Sequence, residues 1–486
     1  MIFINDPKVK SLILINSSQE VLIGTLNMNI GVPTSILDSG RLSTHWLLRR
    51  FLKIKLFRVT DTDDHVRLVK ESIRGKSIGI YIHIPYCKSI CMFCPYFRQV
   101  LRSYNELEEY LNSLLNELSL YGKLLKDLDL RVIEIHVGGG TPSLVSPKFY
   151  RKFLDVLSEF FNVSCGIGIE VNPEDFKDLR IVEDYYSNGI DEVSIGIQSF
   201  DDRILESINR KHSPKDNVVA VENSIKTGFK WVNADLMFLT PNIRDYVELG
   251  LKEKLEIFRR DLEKSLELGV HQITYYATII PKYSPGYKLI NYGKLYQEVE
   301  AINYFLEEAL KFIEEHKLHL VRIYSIARKQ YEYATVNLEM VGPLIGLGAS
   351  TWSNTGYYQY INIHDVNSYI RSLKNNQLPV IYARKLSKDS IAWRLFFDQL
   401  TTTIIRDEVF KSLGIEIPLT IKTYLKLMEL SKLVKRFEDG YKLTKYGIIE
   451  VYKMLMNYVI EVPIKVTGML MEFKDFSKSP YELIVR

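Results

Sequence analysis

A chain of 486 residues has room for two to three domains at the usual length of roughly 150 residues each. Its 46% hydrophobic and 25% charged content exclude the disordered and fibrous classes. Lys and Arg number 63 against 59 Asp and Glu, and the resulting +4 is too slight to mark nucleic acid or an anionic membrane as a partner.

The opening Met1–Asp6 turns polar at once and lacks the basic-then-apolar order of a secretory leader, so a cytoplasmic location is expected. Residues 1–75 read as an N-terminal extension. It has a hairpin around Leu12–Leu26 and a basic, aromatic segment at Trp46–Arg58, which suggests a packing collar. Strand-like runs follow at Ile78–Ile84, Val132–Val137, Gly166–Val171, Glu192–Ile197, Trp231–Phe238 and Gln272–Thr278. Helical patterns such as Tyr104–Leu125 and Lys252–Leu268 lie between them, and strands alternating with helices imply a parallel sheet.

Within these runs Ile78, Ile80, Ile82 and Ile84 share one face, while Gly79, Tyr81 and His83 share the other. The same split sets Ile133, Ile135 and Val137 against Glu134 and His136, and Ile167, Ile169 and Val171 against Gly168 and Glu170. It recurs with Ser194, Gly196 and Gln198 on the polar side, then with Asn233 and Asp235. A doubly wound sheet would be apolar on both faces. One aliphatic and one polar face instead suit a barrel whose polar lumen holds a ligand at the C-terminal strand ends. Six strands point to a partial (β/α)6 barrel of TIM type in an α/β fold.

The uncharged stretch Met340–Asn362 contains Gly342, Pro343, Gly346 and Gly348 and reads as a glycine-rich loop, not a membrane span. After Leu378 the pattern is helical through Lys388–Phe410 and Thr420–Leu430. A hairpin at Phe437–Tyr441 and a closing helix at Lys445–Tyr458 complete a mainly helical, winged-helix-like region. The expected division is 1–75, 76–330 for the barrel, 331–384 for the loop and connector, and 385–486 for the C-terminal domain and tail. No nucleic-acid role is expected of the wing.

Four cysteines in so long a chain are no disulfide framework, and three fall within eight residues as Cys87, Cys91 and Cys94. The spacing C-x3-C-x2-C after the first strand reads as metal ligation in a reducing compartment. Three thiolates can hold three corners of a cubane cluster and leave a fourth iron open for chemistry. A Cys3His zinc site is the alternative. Cys165 reads as a small core residue.

Tyr81-Ile-His83-Ile-Pro85-Tyr86-Cys87 and Cys91-Met-Phe93-Cys94 resemble the radical S-adenosylmethionine (SAM) signature of the oxygen-independent coproporphyrinogen III oxidases and their relatives, the HemW-type haem chaperones and certain methylases. The resemblance continues through Gly138–Ser143, Glu170–Pro173, Ser194–Phe200, Asn209–Ser213, Asn233–Leu236 and Gly346–Ala349. It covers residues 78–455, more than three-quarters of the chain. It implies a radical SAM enzyme with a [4Fe-4S] cluster on Cys87, Cys91 and Cys94 and one or two molecules of SAM. Reductive cleavage of SAM to a 5′-deoxyadenosyl radical would act on a small-molecule, tetrapyrrole-like substrate. The electron would come from a one-electron reductant such as ferredoxin or flavodoxin.

The resemblance also implies residue roles. Tyr81, Glu170 and Ala277 match positions at a first SAM, and Gln198, Arg210 and Asp235 match positions at a second. Gly139, Gly140 and Thr141 would serve both, and Phe93 would pack over the adenine region. His136 is either structural or in touch with substrate. Two departures stand out. The oxidases carry a further cysteine two residues after the third ligand, where this chain has Tyr96. The chaperones carry a His-Asn-x-x-Tyr-Trp stretch that Tyr331–Met340 lacks. The readings are therefore radical SAM catalysis on another substrate, including methylation, porphyrinogen oxidation with altered groups, or haem binding without turnover.

Overall fold

The computed structural model describes residues 54–240, 249–289, 301–330, 342–458, 461–472 and 479–485, with two short strands nearer the start. Those strands, Ile13–Ile15 and Val21–Ile23, pair antiparallel within the expected hairpin. The rest of the extension before Ile54, Trp46 included, and Tyr331–Met340 lie outside the described residues.

Six parallel strands form the centre: β1 (Ser77–Ile84), β2 (Arg131–Gly139), β3 (Ile167–Val171), β4 (Ile190–Gln198), β5 (Trp231–Phe238) and β6 (Gln272–Ala277). They pair in chain order. A seventh parallel strand, β7 (Leu344–Leu347), lies on the free side of β1. Among the described residues the strand order never returns to its start, so the barrel is open.

The sheet runs on past both ends of this core. Beside β6 lies an antiparallel hairpin, His319–Arg322 with Ser325–Ala327. Beyond β7 come the antiparallel strands Trp352–Asn354, Tyr358–Asn362, Val380–Lys385, Ile54–Arg58 and Glu482–Val485. One expectation is corrected here. The stretch read as a glycine-rich loop contains three strands, because its apolar and amide side chains are buried between neighbours. The end of the segment read as a collar, Ile54–Arg58, is a strand of this sheet, and a helix at Thr62–Ser72, capped by Asp61, follows it.

The aliphatic face packs as the alternation requires. Ile78, Ile80, Ile82, Ile135, Ile169, Ile195 and Ala234 join Leu107, Leu114 and Leu118 of the helix Tyr104–Leu125 in one core. Burying each such branched side chain stabilises by about 1.5–3 kcal/mol. Ser103 caps that helix through the Glu106 N–H, and Ser213 with Asp216 forms a capping box on Pro214–Thr227.

In the C-terminal region Lys445–Tyr458 is helical as expected, and Val434–Phe437 pairs with Gly440–Leu443 as the wing. The helix expected over Lys388–Phe410 is corrected: it ends at Thr401, and Ile404–Arg406 joins the wing as a strand before a short helix at Asp407–Ser412. Three threonines followed by two isoleucines disfavour helix, and Thr401 and Thr402 turn their hydroxyls back on Asp398 and Gln399 carbonyls. The helix Glu461–Met471 and the strand Glu482–Val485 had no sequence counterpart above. Among the described residues no helix is long and apolar enough to cross a membrane.

A buried carboxylate fastens β7 to the core. Glu117 accepts from Gly348 N at 2.8 Å, Asn362 Nδ2 at 2.6 Å and Tyr369 Oη at 2.6 Å. Beside it Tyr110 donates to the His83 carbonyl at 2.7 Å and accepts from Ala349 N at 3.0 Å. Burial raises the Glu117 carboxyl from 4.5 to about 7 despite its three donors. An acid whose folded pKa is raised gives stability that is complete below its unfolded pKa and is lost as pH rises through the folded one. Melting temperature is therefore expected to fall as pH rises from 4.5 to about 7, and Glu117→Gln should flatten that slope in calorimetric melts.

Candidate functional site

The three clustered cysteines sit on a loop closed at its base by backbone pairing. Tyr86–Cys87 runs parallel to Gln99–Val100, with Gln99 N donating to Pro85 O at 2.7 Å and Leu101 N to Cys87 O at 3.0 Å. The turn at Ile208–Arg210 grips the loop's middle: Met92 N donates to Ile208 O at 3.2 Å, and Asn209 Nδ2 to Ile90 O at 3.1 Å. Phe93 packs with Met92, Ile208, Met237, Tyr276 and Ile280, forming an apolar backing.

Burial raises the Cys87 thiol, opposed first by a hydrogen bond from Thr141 and further by Arg98 and Arg210. Burial pushes Cys94 up to about 12, with Arg98 the largest opposing influence. Each of these thiols also feels the charge of Cys91. Arg210 Nη1 lies 3.6 Å from Cys91 Sγ. Among the described residues no three His, Cys, Asp or Glu side chains close on a single metal ion. Two guanidiniums thus flank the thiols, positive charge that suits an anionic, thiolate-held group. Two of these guanidinium nitrogens, Arg98 Nε and Arg210 Nε, are buried without a partner. Cys165 stands apart at the start of β3, 3.8 Å from the Val132 carbonyl.

His83 is no substitute ligand, because both ring nitrogens are engaged. Its Nε2 donates to Phe97 O at 2.8 Å, which leaves Nδ1 to accept from Tyr81 Oη at 3.2 Å. Burial lowers its pKa and favours this neutral ring.

The glycine run at the end of β2 makes space for this arrangement. A Cβ on Gly138 would lie 2.8 Å from Glu170 Oε1, and one on Gly140 would lie 2.6 Å from Tyr86 O and 2.9 Å from Cys87 Sγ. Gly139 has φ +115°, a conformation other residues rarely adopt, and a Cβ there would strike the His83 ring.

On the polar face Glu170 Oε1 lies 3.2 Å from His136 Nε2, and Tyr81 stacks on His136 with ring centres 5.9 Å apart. Arg210 Nη2 donates to Asn172 Oδ1 at 2.9 Å and to Gly196 O at 2.8 Å. Asn172 in turn reaches Thr141 Oγ1 at 3.5 Å. Gln198 adopts φ 64° at a register shift between β4 and β5, and its amide is the nearest atom a Gly196 Cβ would meet, ahead of Arg210. Such backbone geometry is uncommon outside glycine and concentrates at functional strand ends.

Asp235 is already engaged within the protein. It accepts from Ser194 Oγ at 2.7 Å, Asn233 Nδ2 at 2.9 Å and Tyr276 Oη at 2.6 Å. Burial raises its pKa to about 6, with the charge of Glu170 adding to the rise. Ala277 N donates to Tyr452 Oη at 2.9 Å, which ties β6 to the C-terminal helix. Tyr276 was missed, although continuing the period-two pattern through Thr274 and Tyr276 would have found it. Arg98 and Tyr452 carry no periodic signal.

Residues 81–250 match the model of the Radical SAM superfamily. The heme chaperone HemW of Bacillus subtilis (strain 168) is 28% identical over 309 residues, covering 62% of this chain and 76% of the relative. An oxygen-independent coproporphyrinogen III oxidase of Pseudomonas aeruginosa is 24% identical over 359 residues, covering 69% and 75%. The solved structure titled "Coproporphyrinogen III oxidase (HemN) from Escherichia coli is a Radical SAM enzyme" superposes with a TM-score of 0.68 at 19% identity, covering 83% and 94%. The last likeness speaks for the fold alone.

Gly140→Ala places a methyl against Tyr86 backbone and Cys87 Sγ, where nothing flexible can yield. Overpacking of this kind costs about 1–3 kcal/mol. The expected outcome is a folded protein by circular dichroism whose iron content after reconstitution falls several-fold.

Proposed function

From the radical SAM domain as premise, we propose that this chain is a radical SAM enzyme of the coproporphyrinogen-oxidase type acting on a small, tetrapyrrole-like substrate. The observation that carries the reading is the joining of three thiols, the Gly138–Gly140 opening and the polar face of β1–β5 at one end of the sheet. Cys87, Cys91 and Cys94 hold a [4Fe-4S] cluster in this reading. A reduced cluster held there would supply the one electron needed to break the sulfonium C–S bond of SAM, giving methionine and a 5′-deoxyadenosyl radical able to take hydrogen from the substrate.

The chain's own residues bind, orient and shield. The backbone at Gly139 and Gly140 and the Thr141 hydroxyl line the methionine end of SAM. Glu170 accepts from ribose hydroxyls, with Tyr81 and Ala277 completing that pocket. Phe93 keeps water from the adenine region. Arg210 and Gln198, with Asn172 between Arg210 and Thr141, form the neighbouring pocket that a second SAM would fill. Asp235 borders that pocket, already bonded to Ser194, Asn233 and Tyr276. A ferredoxin or flavodoxin supplies the electron, in the cytoplasm, and the barrel at 76–330 carries the chemistry while 385–486 closes over it. A second reading is haem binding without turnover, favoured by the relative named as a heme chaperone.

The decisive test is anaerobic. The reconstituted protein is reduced with dithionite, given SAM, and assayed for 5′-deoxyadenosine by mass spectrometry, with Cys91→Ala as control. Nucleoside formation that needs both reduction and Cys91 is expected. An intact cluster that binds haem stoichiometrically and yields no nucleoside would sink catalysis in favour of the second reading. Glu170→Gln should weaken SAM binding about tenfold, or ~1.4 kcal/mol, measured by equilibrium dialysis.

A further inference from the structure

Arg98 has no role in the reading above, yet it is the most confined cation near the cysteines. It is 7% exposed and follows Cys94 by four residues. Its Nη1 donates to Tyr96 O at 3.1 Å, and its guanidinium carbon stands 6.0 Å from the centre of the Tyr283 ring. The Tyr283 hydroxyl itself donates to Pro95 O at 2.5 Å, so ring and guanidinium are both fixed to the segment leaving Cys94. Directly after Arg98, the pairing of Gln99 and Leu101 with Pro85 and Cys87 fixes it at the loop's other end.

Two features of this position ask for an anion. Arg98 Nε is buried with no hydrogen-bond partner, and among the described residues no carboxylate pairs with the side chain. A buried guanidinium without a counter-charge is costly. Lys88, by contrast, is exposed and paired with Asp175 at 2.6 Å. Arg210 spends its donors on Asn172 and Gly196 as well as on Cys91. Arg98, with its one hydrogen bond to Tyr96 O, is the less committed of the two guanidiniums that flank the thiols.

We propose that Arg98 is a positioning residue that acts as buried counter-cation to the thiolate-held cluster and raises its reduction potential. Adding an electron beside a fixed cation in a poorly screened interior is favoured, and hydrogen bonds around cluster sulfurs act in the same direction. Tyr283 holds the guanidinium in place. The inference rests on the reading of Cys87, Cys91 and Cys94 as ligands of a [4Fe-4S] cluster.

The test is a redox titration of the full chain, reconstituted with iron and sulfide and followed by electron paramagnetic resonance without SAM. Wild type and Cys91→Ala come first; a wild-type protein that forms no cluster overturns the ligand reading and this inference together. With the cluster present, Arg98→Gln is expected to shift the reduction equilibrium about tenfold toward the oxidised form, which is ~59 mV for one electron. Arg98→Lys should restore most of that shift, and Lys88→Gln should produce far less. An unchanged potential in Arg98→Gln at full cluster content overturns the proposal. If Arg98→Gln takes up no cluster, uptake by Arg98→Lys supports a charge requirement, and failure of both overturns it in favour of packing alone.

Discussion

Everything at this site depends on the absence of three Cβ atoms. Gly138, Gly139 and Gly140 leave hollows that the Glu170 carboxylate, the His83 ring and the Cys87 thiol fill in turn. These groups come from three different strands or strand ends, and they could not approach one backbone segment if it carried side chains. The glycine run is thus a spatial condition on the site before it is a contact with any ligand. Its conformational entropy cost is offset by the core behind it, where the aliphatic faces of the strands are buried.

The polar face then faces a second problem, since carboxylates removed from water need donors. Neighbouring strands supply them to Asp235. The helix Leu251–Glu267 presents Asp261 to Ser199 Oγ at 2.7 Å and Phe200 N at 2.8 Å, fixing the chain just after Gln198. His212 and Glu174 meet at 3.3 Å behind the Arg210 turn. These buried carboxyl groups hold strand ends and turns, and the cysteine loop is gripped from the Ile208–Arg210 turn as well as at its base.

Much of this was legible in the sequence, for a physical reason. The six central strands are half polar, so a period of two shows in the residues, and β5 and the helix Tyr104–Leu125 have the expected bounds. Where both faces are buried that signal vanishes, which is why Leu344–Leu347, Trp352–Asn354 and Tyr358–Asn362 read as a loop. Pairing partners were also out of reach. Nothing in Asp235 announces Ser194 or Tyr276, because register between strands is set by packing. Arg98 was missed for the same reason, since its surroundings are made by Tyr283, far along the chain.

The strand Ile54–Arg58 has both its partners at the far end of the sequence, in Val380–Lys385 and Glu482–Val485. At ordinary elongation rates of roughly 5–20 residues per second, it leaves the ribosome tens of seconds before either partner exists. Until then it is an unpaired strand, and such edges invite pairing with other chains. Lys55 and Arg58 within it are the charges that discourage such pairing. A sheet completed by its latest-made strands therefore leaves this early strand exposed for most of the chain's synthesis.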